Sequence, residues 1–310
     1  MNNDSSMSGQ AAGLTQALNR LSAVLERLAP DEPSRDRHLP EALAYRWQAG
    51  RGLFSQGRLV PVDSPQLIAF SDLRNIDGQA ERLHRNTSQF VQGYPANNVL
   101  MTGARGTGKS SLVRACLAAF HGQGLRLIEV EKQALDDLPH IVSLIRRETR
   151  RYLIFCDDLS FEEGEHGYKG LKTVLDGSVA GPSPNVLIYA TSNRRHMVSE
   201  RMSDNLERRS DDRGEIHPGD SVEEKISLSD RFGLHLHFYP FSQDEYLNAV
   251  AHWLSHFGLD FGVDQEIRTE SLQWALERGT RSGRVAWQFA RDYGGRKMAG
   301  QRSGQGPAAA

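Results

Sequence analysis

"GARGTGKS", residues 103 to 110, stands between the apolar run "NNVLMTG" (97 to 103) and "SLVRACLAAF" (111 to 120), which reads as a helix. The eight residues match G-x-x-x-x-G-K-[ST], and a strand before and a helix after are the context in which that spacing has a mechanism. Glycines let the main chain approach an anion closely, while N–H groups of the loop and the helix start face the phosphates. Gly103, Ala104, Arg105, Gly106, Thr107, Gly108, Lys109, Ser110 and Ser111 therefore form a candidate phosphate cradle. Lys109 is directed at the β- and γ-phosphates and the Ser110 hydroxyl at Mg²⁺, so ATP and Mg²⁺ are the expected cofactors.

Other short apolar runs extend the pattern: "LRLIEV" (125 to 130), "YLIFCD" (152 to 157), "NVLIYATSN" (185 to 193) and "LHLHFY" (234 to 239). Helical segments separate them, which predicts an α/β fold with a parallel five-stranded sheet sandwiched by helices. After Pro240 the strands stop, and three helical stretches follow, the first capped by Ser242; they read as a helical lid. The expected organisation is an N-terminal helical and extended segment over 1–69, a P-loop α/β domain over 70–240, the lid over 241–298 and a disordered tail over 299–310. Within the first segment, Leu14, Leu18, Leu21, Leu25 and Leu28 recur at helical spacing, and a second helical stretch is expected around Leu43 to Trp47. Residues 1–12 lack apolar periodicity, and 207–225 read as a charged, mobile surface insert.

Acidic (39) and basic (37) residues nearly cancel over the 310 residues, so whole-chain charge predicts neither nucleic-acid nor membrane binding. Cys116 and Cys156 both lie in apolar runs and read as free thiols of a reducing compartment. No apolar stretch approaches the roughly 20 residues needed to cross a bilayer, and a cytoplasmic location is expected.

The strand "YLIFCD" ends in Asp157 and Asp158. In a P-loop protein an acid at such a tip orients Mg²⁺, which assigns Asp157 to the metal together with Ser110, acting through coordinated water because Mg²⁺ keeps much of its hydration. Asp158 is then the candidate base for the attacking water, with Glu162 and Glu163 as alternatives in the following loop.

GARGTGKS, FCDD, TSN and DRFG, in this order and spacing, resemble the AAA+ branch of P-loop ATPases. The runs "NNVLMTGARGTGKSSLV", "FCDDLSFE", "YATSNRRH" and "SLSDRFGL" resemble, more narrowly, a bacterial family of AAA+ proteins labelled as a domain of unknown function. The resemblance implies an ATP hydrolase. It assigns Asn193 to placing the attacking water and Arg231 to reaching the phosphates of a neighbouring subunit in a homo-oligomer. Arg284, or alternatively Arg281, takes the role of a lid arginine on the γ-phosphate, and Leu73, Ile76 and Gln79 fall where such proteins place adenine. Most AAA+ members carry Asp-Glu where this chain has Asp157-Asp158, so either slow hydrolysis or an intervening second water is expected.

ATP chemistry leaves the output open: remodelling or loading of a protein partner, engagement of nucleic acid, or a slow nucleotide switch. Arg146, Arg147, Arg150 and Arg151, with Arg194, Arg195 and His196, form two basic clusters suited to phosphates, but no interleaved aromatics support direct readout. Threading ATPases carry a gripping aromatic in the loop after the second strand. "EKQALDDLPH" (131 to 140) has none, which argues against threading.

Overall fold

The computed structural model describes residues 39–50, 57–159, 168–177, 181, 183–193, 209–210, 216–217, 227–259 and 264–304, and Arg20. The expected helix over Leu14 to Leu28 apart from Arg20, the N-terminal tail, Glu162, Glu163, Arg194, Arg195, His196 and most of 207–225 lie outside the described residues.

The sequence-predicted strands are β3 (Val99–Gly103), β4 (Leu125–Val130), β5 (Arg151–Cys156), β6 (Val186–Ser192) and β9 (Leu234–Phe238). They lie side by side as β4-β5-β6-β3-β9, all parallel. Two further strands, β1 (Ala44–Gln48) and β2 (Arg58–Pro61), extend the sheet to seven beyond β4; β1 runs parallel to β4 and antiparallel to β2. The helix expected around Leu43 to Trp47 is therefore a strand. Tyr45 and Trp47 pack on one face of the sheet and Ala44 on the other, while Arg46 and Gln48 are exposed. That period-two burial is open to a short apolar run once β4 offers it a partner edge. Within 207–225, β7 (Arg209–Ser210) and β8 (Ile216–His217) form a small antiparallel pair.

Helices cover both faces of the sheet. α1 (Asp77–Val91) and α2 (Lys109–Phe120) bury Leu83, Phe90, Leu112, Val113 and Leu117 against Val99, Met101, Leu153 and Phe155. Each such side chain contributes about 1.5–3 kcal/mol by leaving water. α3 (Leu138–Ile145) and α4 (Tyr168–Asp176) pack on the opposite face through Ile141, Ile145 and Leu171. Cys116 and Cys156 are fully buried in these two separate cores and are not paired; burial pushes both thiols up to about 12.

The stretch after β4 is built into the fold. Lys132–Asp137 form a 3-10 helix that buries Ala134 and Leu135, and Trp47 Nε1 donates to Asp137 Oδ2 at 2.8 Å. A third core joins the C-terminal helices α5 (Gln243–His256), α6 (Gln265–Glu277) and α7 (Gly283–Gly304). α5 opens with a capping box: Ser242 Oγ accepts from Glu245 N, and Glu245 Oε2 accepts from Ser242 N. α7 continues through Gly304, so the tail expected from residue 299 begins as helix. No helix among the described residues is long and apolar enough to cross a membrane.

Candidate functional site

β3 delivers the glycine-rich loop to the carboxyl end of the parallel sheet, where an open α/β fold leaves its crevice. Gly103 is left-handed (φ 129°), and a Cβ there would lie 1.9 Å from the Phe238 carbonyl oxygen, so only glycine lets β3 and β9 meet at this point. Gly108, also left-handed (φ 106°), turns the chain into α2. Lys109 is buried in the loop. Its Nζ donates to Gly103 O (2.7 Å), Ala104 O (2.7 Å) and Asn193 Oδ1 (3.1 Å), which engages all three ammonium protons. Burial lowers the Lys109 pKa from 10.5 to about 8, with Arg105 and Arg284 adding to the drop and Asp157 and Asp158 opposing it.

The two acids stand across the loop at the end of β5. Asp157 Oδ1 accepts from Ser110 Oγ (2.9 Å) and Thr191 Oγ1 (2.5 Å). Asp158 is one of two non-glycine residues with positive φ among those described (54°), and its Oδ1 accepts from Asn193 Nδ2 at 2.5 Å. Arg105 Nη2 lies 3.8 Å from Asp158 Oδ2. Lys109, Asn193 and Asp158 thus form one chain of contacts, with Ser110 and Asp157 alongside. The donor set suits Mg²⁺: Ser110 Oγ and Asp157 Oδ1 are hard oxygen donors within 2.9 Å of each other, and would hold the ion directly or through its bound water. Among the described residues no cluster of three or more His, Cys, Asp or Glu offers an all-protein metal cage.

A cavity of about 760 Å³ opens above this loop, between the sheet domain and the C-terminal helices. Lys109, Ser110, Asp157, Asp158 and Asn193 form its polar end; Leu73 and Ile76 line it, with Leu67 and Ile68. Gln79 is not part of the lining, because its amide donates instead to His237 O at 2.8 Å. The helical domain contributes Phe241, Trp253, Arg284 and Trp287, and the two tryptophans were not singled out by sequence reasoning. Of the two lid arginines, Arg284 faces the cavity, and Arg281 is absent from its lining. The backbone N–H of Arg284 donates to Gly106 O at 3.1 Å, joining the start of α7 directly to the loop. A second lid contact places His252 Nδ1 3.1 Å from Arg74 Nη2; burial, then Arg74, lowers the His252 pKa against the opposing pull of Asp72.

Arg231 stands outside this cavity. Its Nε pairs with Asp176 at the end of α4, and its Nη1 donates to the main chain and Oγ of Ser227. In the basic cluster before β5, Arg150 pairs with Glu41 at 3.3 Å, while Arg151 donates to Pro184 O and lies over the Phe90 ring. Arg150 and Arg151 therefore serve internal contacts.

A parallel sheet in the order β4-β5-β6-β3-β9, a G-x-x-x-x-G-K-S loop and a C-terminal helical domain over the loop define the AAA+ class of P-loop proteins. The chain belongs to the family described as "Protein of unknown function (DUF815)", whose model matches residues 40–297. Among solved structures it is similar to Aeropyrum pernix Orc1 in complex with DNA, with TM-score 0.50, 17% identity and coverage of 74% of this chain and 61% of that one. A variant of Thermotoga maritima RuvB gives TM-score 0.47, 14% identity and coverage of 72% and 63%. The FIGL-1 AAA domain in complex with ADP gives 0.42, 15%, and 73% and 85%. The chain spans less than two thirds of the Orc1 and RuvB chains, and at these identities the likeness is one of fold. No curated protein sequence matches it.

Proposed function

We propose that the protein binds Mg·ATP in the cavity, hydrolyses it, and uses the cycle to remodel or load a macromolecular partner. The observation that carries this reading is the convergence of Lys109, Ser110, Asp157, Asp158 and Asn193 at one end of a single cavity. Phosphate entering the cradle takes Lys109 from the Gly103 and Ala104 carbonyls, exchanging neutral acceptors for charged ones. Mg²⁺ held by Ser110 and Asp157 would supply charge neutralisation on the phosphate oxygens. Asp158 accepts the proton of the attacking water through Oδ2, while Asn193 fixes Oδ1. Arg284 acts from the lid, and Arg231 across a subunit boundary in a homo-oligomer.

Calorimetric titration with Mg·ATP and measurement of phosphate release test the reading. Wild type should bind and turn over, and Lys109→Ala should lose tight binding because the cradle loses its ammonium. Equal affinity in the two proteins would make the loop structural. A slow nucleotide switch is the second reading, favoured by the short Asp158 side chain and its bond to Asn193, both of which hold the carboxylate back from a water.

A further inference from the structure

Thr191 makes three hydrogen bonds to three consecutive residues at the acidic tip. Its main-chain oxygen accepts from Leu159 N at 2.7 Å. Its Oγ1 accepts from Asp158 N at 2.9 Å, which fixes where the hydroxyl proton goes: it is donated to Asp157 Oδ1, 2.5 Å away. Thr191 is buried, with 1% of its surface exposed, so water does not replace these partners readily. The same hydroxyl thus holds the carboxylate of one acid and the main chain of the other.

We propose that Thr191 is a positioning residue for the nucleotide-bound metal ion and the base, an inference that rests on the function proposed above. The Asp158 backbone is left-handed at φ 54°, a region that non-glycine residues seldom adopt, although Asp does so more readily than most, and that local hydrogen bonds help to hold. The Thr191 hydroxyl holds it by satisfying the Asp158 N–H, and the turn directs the Asp158 carboxylate to Asn193. Through the other bond Thr191 orients Asp157 against Ser110. Ser110 binds the same oxygen but sits on the phosphate loop, so it is recruited when the ion arrives. Thr191, on β6, retains its grip throughout.

Thr191→Val keeps the shape of the side chain and removes both hydroxyl bonds, whereas Thr191→Ser keeps the hydroxyl. The measurement is nucleotide affinity by calorimetry, using ADP in excess EDTA and then in Mg²⁺, with phosphate release followed separately. In Thr191→Val, affinity in EDTA should stay within about twofold of wild type, while the gain conferred by Mg²⁺ and the turnover rate should each fall about 10–100-fold, as for other outer partners of metal ligands. Thr191→Ser should recover most of both losses, and Thr191→Ala repeats the loss in a smaller side chain. A wild-type Mg²⁺ gain in Thr191→Val or Thr191→Ala overturns the proposal. So does a Thr191→Ser variant as impaired as the valine variant, which would assign the effect to packing. A wild-type protein that binds no nucleotide overturns the functional reading and this inference with it; one that binds nucleotide with a Mg²⁺ gain lost in Thr191→Val, yet releases no phosphate, sinks only the hydrolysis.

Discussion

Raising the pH from 7 to 9 strips the Lys109 proton from the empty site alone. With its pKa lowered to about 8, Lys109 in the unliganded protein passes from about 10% to about 90% neutral over that interval. A bound diphosphate holds the ammonium charged, so binding above pH 8 must first return the proton. Apparent affinity for ADP should therefore fall about tenfold between pH 7 and 9, close to 1.4 kcal/mol. Nucleotide phosphates contribute little to this window, because their last proton leaves near pH 6. Calorimetry in two buffers of different ionisation enthalpy should show proton uptake rising from about 0.1 to about 0.9 per site. Lys109→Arg, whose guanidinium stays charged throughout, should give a flat profile whatever its absolute affinity. Linkage also fixes the sign for the unliganded fold: the unfolded lysine keeps its proton to about 10.5, so stability should rise with pH between 8 and 10.5. An ADP affinity constant within twofold from pH 7 to 9, or the same slope in Lys109→Arg, would refute this account of the buried ammonium.

Three other outcomes are expected. Asp158→Asn should bind ATP and lose about 10²–10⁴ in turnover; normal turnover there, with loss in Glu162→Gln or Glu163→Gln, would move the base to the later loop. Arg231→Ala should bind ATP yet lose about 10³ or more in rate, and mixing it with Lys109→Ala should restore some activity at mixed interfaces; co-assembled mixtures that stay inactive would leave Arg231 as the partner of Asp176. Unfolded polypeptide should not stimulate the ATPase strongly, since the stretch after β4 carries no gripping aromatic and is a 3-10 helix anchored by buried Ala134 and Leu135 and by the bond of Asp137 to Trp47; ATP-dependent unfolding of a tagged fluorescent protein would contradict this.

The phosphate loop and acidic tip were legible because their residues are contiguous and their flanking apolar runs announce strands and helices. Ser110 and Asp157 are 47 residues apart, yet each follows from a local pattern. Strand β1 was not legible. "AYRWQ" is too short for its period to settle, and its conformation is decided by β4, distant in sequence. The Asp176 partner of Arg231 was not legible for a similar reason: it lies 55 residues earlier in the chain, and only the fold brings the end of α4 beside it. Gln79 was misplaced because a polar side chain one turn past Ile76 gives no sign of whether it faces a cavity or a strand end. Trp253 and Trp287 read as the apolar faces of lid helices, and only the packing of the lid over the loop turns them toward the cavity.

The pairing of β1 with β4 bears on where this molecule can be cut. A fragment begun at residue 70 would retain the phosphate loop and the acids but leave the outer edge of β4 without Ala44, Tyr45 and Arg46 opposite Leu127, Ile128 and Glu129. A bare, apolar strand edge is a template for joining another chain, and such fragments should aggregate. In the whole molecule that edge is handed on to β2, a four-residue strand that begins with Arg58 and ends with Pro61, which has no N–H to offer. Strands β1 and β2 act in this respect as a blunt selvedge, finishing the sheet on the side beyond β4.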